Sequence, residues 1–291
     1  MSVIPAVMHL LGPLHIAIIH RHDVDASEFI VAATDHPALV DLLSPGDCLG
    51  TLIASEWLLT AAHCAELLRE DSTFDVGSQT LGMTALFLHE DYDGERHDIG
   101  LVQLDASVSG VDTLIWYSED DEAGQDVLFV GRGDSGTGVD GQRDAVLDGQ
   151  TRQATNTIED IQGGYLHFTF HSPDDPGVTE FEGISGDGDS GGPALVATES
   201  GWAVAGLSSY QDRAGNRLGT YGVEEFYTRV SDYDGWIESG LNGELEPDDP
   251  KGCASVGPPL RLEWIGGLFP LCVLMRRSSR GAERSDISGS A

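Results

Sequence analysis

Residues 188–193 read Gly188-Asp189-Ser190-Gly191-Gly192-Pro193, and the parse of this hexapeptide decides the fold. Two parses compete. One is a G-x-S-x-G elbow between a strand and a helix, in which the acid and then the histidine base follow the serine. The other is a nucleophile loop whose base precedes it. The last histidine of the chain is His171, so none follows Ser190. The base therefore lies upstream, which excludes the elbow order. The lack of alternating strand and helix patterns points the same way.

Upstream, residues 59–64 read Leu-Thr-Ala-Ala-His-Cys and residues 96–101 read Arg-His-Asp-Ile-Gly-Leu. Small residues beside His63 let an imidazole sit at the edge of a packed strand. Asp98 opens an apolar run, where a carboxylate is partly buried and can accept a hydrogen bond from that imidazole. The chain order is His63, Asp98, Ser190. These three motifs, in this order, resemble the trypsin/chymotrypsin family of serine proteases over about residues 18–241. The resemblance implies Ser190 as nucleophile, His63 as general base and then acid, and Asp98 as the group that orients the imidazole. It implies an oxyanion hole from the N–H groups of Gly188 and Ser190, and a supporting serine for the acid at Ser208. Asp189 resembles the residue that pairs with a new amino terminus after propeptide cleavage, here Ile18 or Ile19. Ala17 precedes them, so a trypsin-like cut is not expected there. Cys48 and Cys64 resemble the family disulfide of the histidine loop.

The expected substrate pocket comprises Ile184, Ser185, Ser208, Ser209, Tyr210 and Glu225. Ile184 stands where trypsin has an aspartate, and Gly186 where the family has a cysteine. Glu225 replaces a pocket glycine. Its carboxylate either pairs with a basic side chain or fills the pocket and favours small ones.

The remaining chain reads as all-β. Apolar runs at Cys48–Ile53, Trp57–Ala62, Ile99–Leu104, Val127–Val130, Tyr165–Phe170, Pro193–Ala197, Trp202–Leu207 and Phe226–Val230 have strand length and end at turn residues. Gly133-Asp134-Ser135-Gly136 repeats part of the nucleophile motif and is read as a turn. A helix capped by Ser231 is expected to run to about Leu241, with Tyr233, Trp236 and Ile237 on one face. The family resemblance implies two packed antiparallel six-stranded β-barrels with the triad in the cleft between them.

The chain has 291 residues and 15 Lys plus Arg against 49 Asp plus Glu, a net charge of -34. Such a surface repels nucleic acid and anionic membrane. A protein or peptide substrate and a monomer are expected. No spacing of ligand residues indicates a metal. Residues 66–75 are acidic enough to allow calcium, as in some family members, without a diagnostic pattern. Residues 1–17 form a leader, a propeptide or a packed segment. Residues 242–252 read as an acidic linker. Residues 253–291 run from Gly-Cys through an apolar stretch to an Arg cluster. That order resembles the sorting tails of exported bacterial proteins, notably myxobacterial ones, and implies a secreted or cell-surface enzyme. The alternative is a loosely docked tail, and membrane contact is expected only through this segment.

Overall fold

The apolar runs become strands in the computed structural model, which describes residues 18–43, 47–144, 148–213 and 215–250. The expected leader at 1–17 and tail at 253–291 lie outside the described residues. In the N-terminal half, six strands lie in the order Leu39–Asp41, Leu49–Ala54, Trp57–Thr60, Gly100–Leu104, Gln79–Leu88 and Thr73–Val76. All neighbours are antiparallel. The two end strands approach each other, so the sheet curls toward closure and hides its edges. Val40, Leu52, Leu58, Phe74 and Val102 fill it.

The C-terminal half is a nine-stranded sheet rather than a plain six. Six strands of five or more residues run in the order Tyr165–Thr169, Glu224–Arg229, Gly201–Asp212, Pro193–Thr198, Asp126–Gly131 and Thr151–Thr157. Three additions of two or three residues, Ile30–Val31, Ile115–Trp116 and Asp160–Gln162, extend it. Asp160–Gln162 is the first arm of a hairpin onto Tyr165–Thr169, Ile30–Val31 pairs with the start of Thr151–Thr157, and Ile115–Trp116 pairs in parallel with Ala203–Val204. The interior is aromatic. Phe129 stacks on Tyr227 at 4.9 Å between ring centroids, and Phe168 meets Phe129 edge-on at 5.0 Å.

A third apolar cluster joins the halves. It includes Leu49, Trp57, Leu59 and Leu101 from the first, and Val130, Leu195, Leu207 and Ile237 from the second. This contact sets the line along which the site residues meet. A small sheet, Gly136–Thr137 beside Ile19–His20 beside Gly183–Ile184, fixes the start of the described chain next to the segment that leads into Ser190.

The C-terminal helix is Asp234–Leu241, entered through a 3-10 turn at Val230–Tyr233. Ser231 is not its cap. The hydroxyl donates instead to the fully buried Glu122 at 2.5 Å, which also binds Arg229 at 2.6 Å. A buried carboxylate needs those donors more than the helix needs a cap. The acidic linker is partly docked, with Leu88 N–H donating to Asp248 Oδ2 at 2.7 Å. Among the described residues, no helix is long and apolar enough to cross a membrane.

Candidate active site

His63 lies on the single helical turn Ala62–Ala65 that follows the strand Trp57–Thr60. Ala61, Ala62 and Ala65 are fully buried, and their small size lets the turn pack flat on the barrel. Asp98 sits just before Gly100–Leu104, the strand that pairs with Trp57–Thr60, so the two residues are brought together by strand pairing. Asp98 Oδ2 is 2.7 Å from His63 Nδ1, and Oδ1 accepts the His63 backbone N–H at 2.9 Å. Ser209 Oγ donates to Oδ2 at 2.6 Å. Thr228 Oγ1 donates to the Asp98 carbonyl at 2.9 Å. Burial pushes the Asp98 carboxyl up, but the hydrogen bonds from His63 and Ser209 outweigh it and hold the group below the ordinary carboxylate range. An ionised carboxylate only accepts, so Nδ1 carries the proton and Nε2 is left as the basic nitrogen.

Ser190 comes from the second half. Its carbonyl accepts from Leu49 N–H at 2.8 Å, across the junction. Gly191 makes that approach feasible. It has φ +74°, and a Cβ there would lie 2.3 Å from Thr60 Oγ1 and 2.5 Å from the Leu49 carbonyl. Among the described residues, the N–H groups of Gly188 and Ser190 have no protein acceptor, so both donors are unspent. No hydrogen bond joins Ser190 Oγ to His63 Nε2 among these residues, and Nε2 lies 3.5 Å from Cys64 Sγ. Such bonds are often long before substrate arrives. Ser190 lines a cavity of about 200 Å³, and His63 and Asp98 line an adjoining one of about 500 Å³. Ser209 and Tyr210 wall both.

The Asp189 carboxylate, next to Ser190, is buried. It accepts four backbone N–H groups: Ile18 at 3.0 Å, Gly186 at 2.9 Å, Arg132 at 2.8 Å and Gly133 at 2.7 Å. Burial pushes its carboxyl up, and those donors pull the other way. Of the two candidate isoleucines, Ile18 reaches Asp189, while Ile19 is taken into the small sheet. Cys48 and Cys64 form a disulfide. They close a loop with a sequence separation of 16, so replacing both by alanine is expected to cost about 3 kcal/mol in urea unfolding. An unchanged midpoint would contradict this. With His63, these cysteines are the only cluster of three potential metal-ligand groups among the described residues, and their sulfurs are committed to each other.

A family model described as Trypsin matches residues 30–237, more than half of the chain. The chain belongs to the trypsin family. Bovine chymotrypsin-C is 30% identical over 217 residues, covering 67% of this chain and 78% of the relative. Bovine coagulation factor XI is 25% identical over 213 residues, covering 67% of this chain and 33% of the relative. The chain spans about a third to a half of the length of the first curated relatives it matches. The solved structure of neuropsin, a serine protease of mouse brain, aligns with a TM-score of 0.57 at 20% identity, covering 73% of this chain and 98% of that one. The fold is trypsin-like, and its homology is to serine proteases.

Three expectations drawn from the family resemblance need correction. The serine that donates to the acid is Ser209, not Ser208, whose hydroxyl instead donates to Ser185 at 3.2 Å. A bulge between Ser208 and Tyr210 shifts the strand register at this point. Ile184 does not line the Ser190 cavity. It is fully buried with Ile19, Phe170 and Val223, because its strand turns the side chain inward. Glu225 does not line the cavity either and lies behind Ser185. Gly186 replaces the family cysteine for a steric reason: a Cβ there would stand 1.8 Å from the Asp134 carbonyl. Gly133-Asp134-Ser135-Gly136 is thus more than a turn. It braces the segment that carries Ser190, with Asp134 N–H donating to the Asp187 carbonyl at 2.5 Å.

Proposed function

We propose that this protein is an exported serine endopeptidase that cleaves peptide bonds through an acyl-enzyme on Ser190. The observation that carries the reading is the fixed imidazole: Asp98 holds both the ring Nδ1 and the backbone N–H of His63 on the cleft that Ser190 lines. In the proposed cycle, His63 Nε2 takes the Ser190 proton as Oγ attacks the substrate carbonyl carbon. The Gly188 and Ser190 N–H groups receive the developing oxyanion. His63 then gives the proton to the leaving amine, and a water repeats the sequence to release the acid product.

The Ile18–Asp189 contact supports activation by cleavage before Ile18. A free amino group there would place a positive charge against a buried carboxylate that has only neutral donors. Export is supported by the disulfide, since such bonds persist in oxidising compartments; recovery of the protein only from the cytosol would oppose it. A fluorophosphonate probe tests the activity. Labelling is expected at Ser190 and is expected to be stronger in protein cleaved before Ile18. Failure of both forms to label would favour a second reading, a silent binding module, although all three site residues are present.

A further inference from the structure

Granted the protease reading above, Ser190 has to be held against a base that belongs to the other half of the molecule. Its backbone is tied on both sides. On one side its carbonyl accepts Leu49 N–H at 2.8 Å. On the other, Oδ1 of the adjoining Asp189 accepts the N–H groups of Arg132 at 2.8 Å and Gly133 at 2.7 Å. Those two donors follow the end of the strand Asp126–Gly131 and belong to no regular element, so another contact has to keep them in place.

The Arg132 side chain supplies it. Nη1 donates to Asp41 Oδ2 at 3.1 Å and Nε to Thr151 Oγ1 at 3.2 Å. Asp41 ends the strand Leu39–Asp41 of the first half, and Thr151 opens Thr151–Thr157 of the second. Asp41 is also the strand partner of Leu49. The contacts therefore close a ring: Ser190 to Leu49, Leu49 to Asp41, Asp41 to Arg132, Arg132 to Asp189, and Asp189 to Ser190 through the chain. The ion pair is the one link in this ring made by two side chains. The Arg132 and Asp41 side chains are 18% and 28% exposed, so water screens them less than a surface pair. Asp41 Oδ1 is buried without a hydrogen-bond partner, which leaves the carboxylate dependent on Arg132. Neither residue lines the two cavities of the cleft, so neither touches a substrate held there.

We propose that Arg132 is a positioning residue, whose ion pair with Asp41 fixes the segment that carries Ser190 to the half that carries His63. With the pair cut, the two donors to Asp189 Oδ1 loosen. Ser190 Oγ and the N–H groups of Gly188 and Ser190 then drift relative to His63. Misplacement of that kind slows the chemical step. The cleft walls at Ser209 and Tyr210 still receive substrate, so the signature is a loss in kcat with KM kept.

Arg132→Ala is expected to lower kcat about tenfold, with KM within about twofold of wild type. Arg132→Lys keeps a cation for Asp41 and is expected to return kcat to within about threefold. Asp41→Ala should lose about the same tenfold, and the double variant no more than either single, because all three cut one link. Wild-type kcat in Arg132→Ala, a loss confined to KM, no recovery with Lys, or single losses that multiply in the double variant would each overturn the proposal. Should Arg132→Ala fail to fold, Asp41→Asn, which keeps the shape and removes the charge, is held to the same kcat expectation. If wild type neither labels nor cleaves, the protease reading fails separately. Amide hydrogen exchange of the full chain then decides the link. Exchange over residues 186–192 is expected to speed up about tenfold in Arg132→Ala, and unchanged exchange overturns it.

Discussion

Ser190→Ala is expected to lower kcat by about 10⁶-fold and to abolish fluorophosphonate labelling. The stability of the variant should stay within about 0.5 kcal/mol of wild type. The two halves of this result have separate causes. The Ser190 hydroxyl makes no hydrogen bond to another described residue, so its removal leaves no orphaned partner. The contact that anchors the residue is its carbonyl, 2.8 Å from Leu49 N–H, and alanine keeps it. Catalysis by a nucleophile should therefore separate cleanly from folding at this position. Residual turnover of about 10³-fold over water would remain from the backbone N–H donors of residues 188 and 190, which alanine keeps, and from substrate binding. Parallel measurement of peptide hydrolysis and thermal melting checks both halves. A variant that melts like wild type and still cleaves at more than about a tenth of the rate would rule Ser190 out as the nucleophile.

The fold was legible where strands bury apolar side chains and illegible where they bury polar ones. Each apolar run expected as a strand overlaps one, because period and length there carry the signal. Trp57–Ala62 and Phe226–Val230 run on into the helical turns that begin at Ala62 and Val230. Thr151–Thr157 has Ala154 as its one apolar residue, yet Thr151, Arg152, Ala154 and Asn156 are buried. Asn156 spends its amide on the Thr169 and Gly183 carbonyls, at 3.1 and 3.3 Å, across the barrel. Those acceptors are distant in the chain, so hydropathy could not reveal an inward-facing asparagine. Gln79–Leu88 escaped for another reason. Its pattern breaks at a register shift between Met83 and Ala85.

At the site, the motifs carried the residue identities, and neighbours one position apart needed coordinates. Ser208 and Ser209 are adjacent serines, and a bulge decides which faces Asp98. Ile18 and Ile19 are adjacent isoleucines, and strand pairing decides which backbone N–H is left for Asp189. The segment Gly133-Asp134-Ser135-Gly136 was readable as a turn. That Arg132 and Gly133, at its start, donate their N–H groups to Asp189 was not, since those partners are 57 and 56 residues away. Gln211 carried no signal at all, because its partners are the backbone groups of Ser185 and Gly219 and the carboxylate of Glu225.

Asp98→Asn should lower kcat by about 10⁴-fold, a magnitude taken over from well-studied members of the family. The size of the loss follows from proton placement. Asp98 Oδ2 can only accept, which obliges His63 to keep its proton on Nδ1, 2.7 Å away. An asparagine still accepts the His63 backbone N–H through its carbonyl oxygen, where Oδ1 does so now at 2.9 Å. Its amide nitrogen then faces Nδ1 as a donor. The ring must turn its lone pair to that donor and carry its proton on Nε2, where it cannot take one from Ser190. Ser209, whose hydroxyl donates to Oδ2 at 2.6 Å, also loses its acceptor. The same change alters the pH response of folding. A carboxyl held below its unfolded value of 3.8 stabilises the fold above that value, and the contribution is lost as pH falls through the folded value. The Asn variant lacks this group, so its melting temperature should fall less on acidification than that of wild type. Hydrolysis rates and melting curves taken down to about pH 3 would show both effects. Near-normal kcat in the Asn variant would mean that Asp98 does not set the tautomer of His63, and the proposed cycle would lose its base.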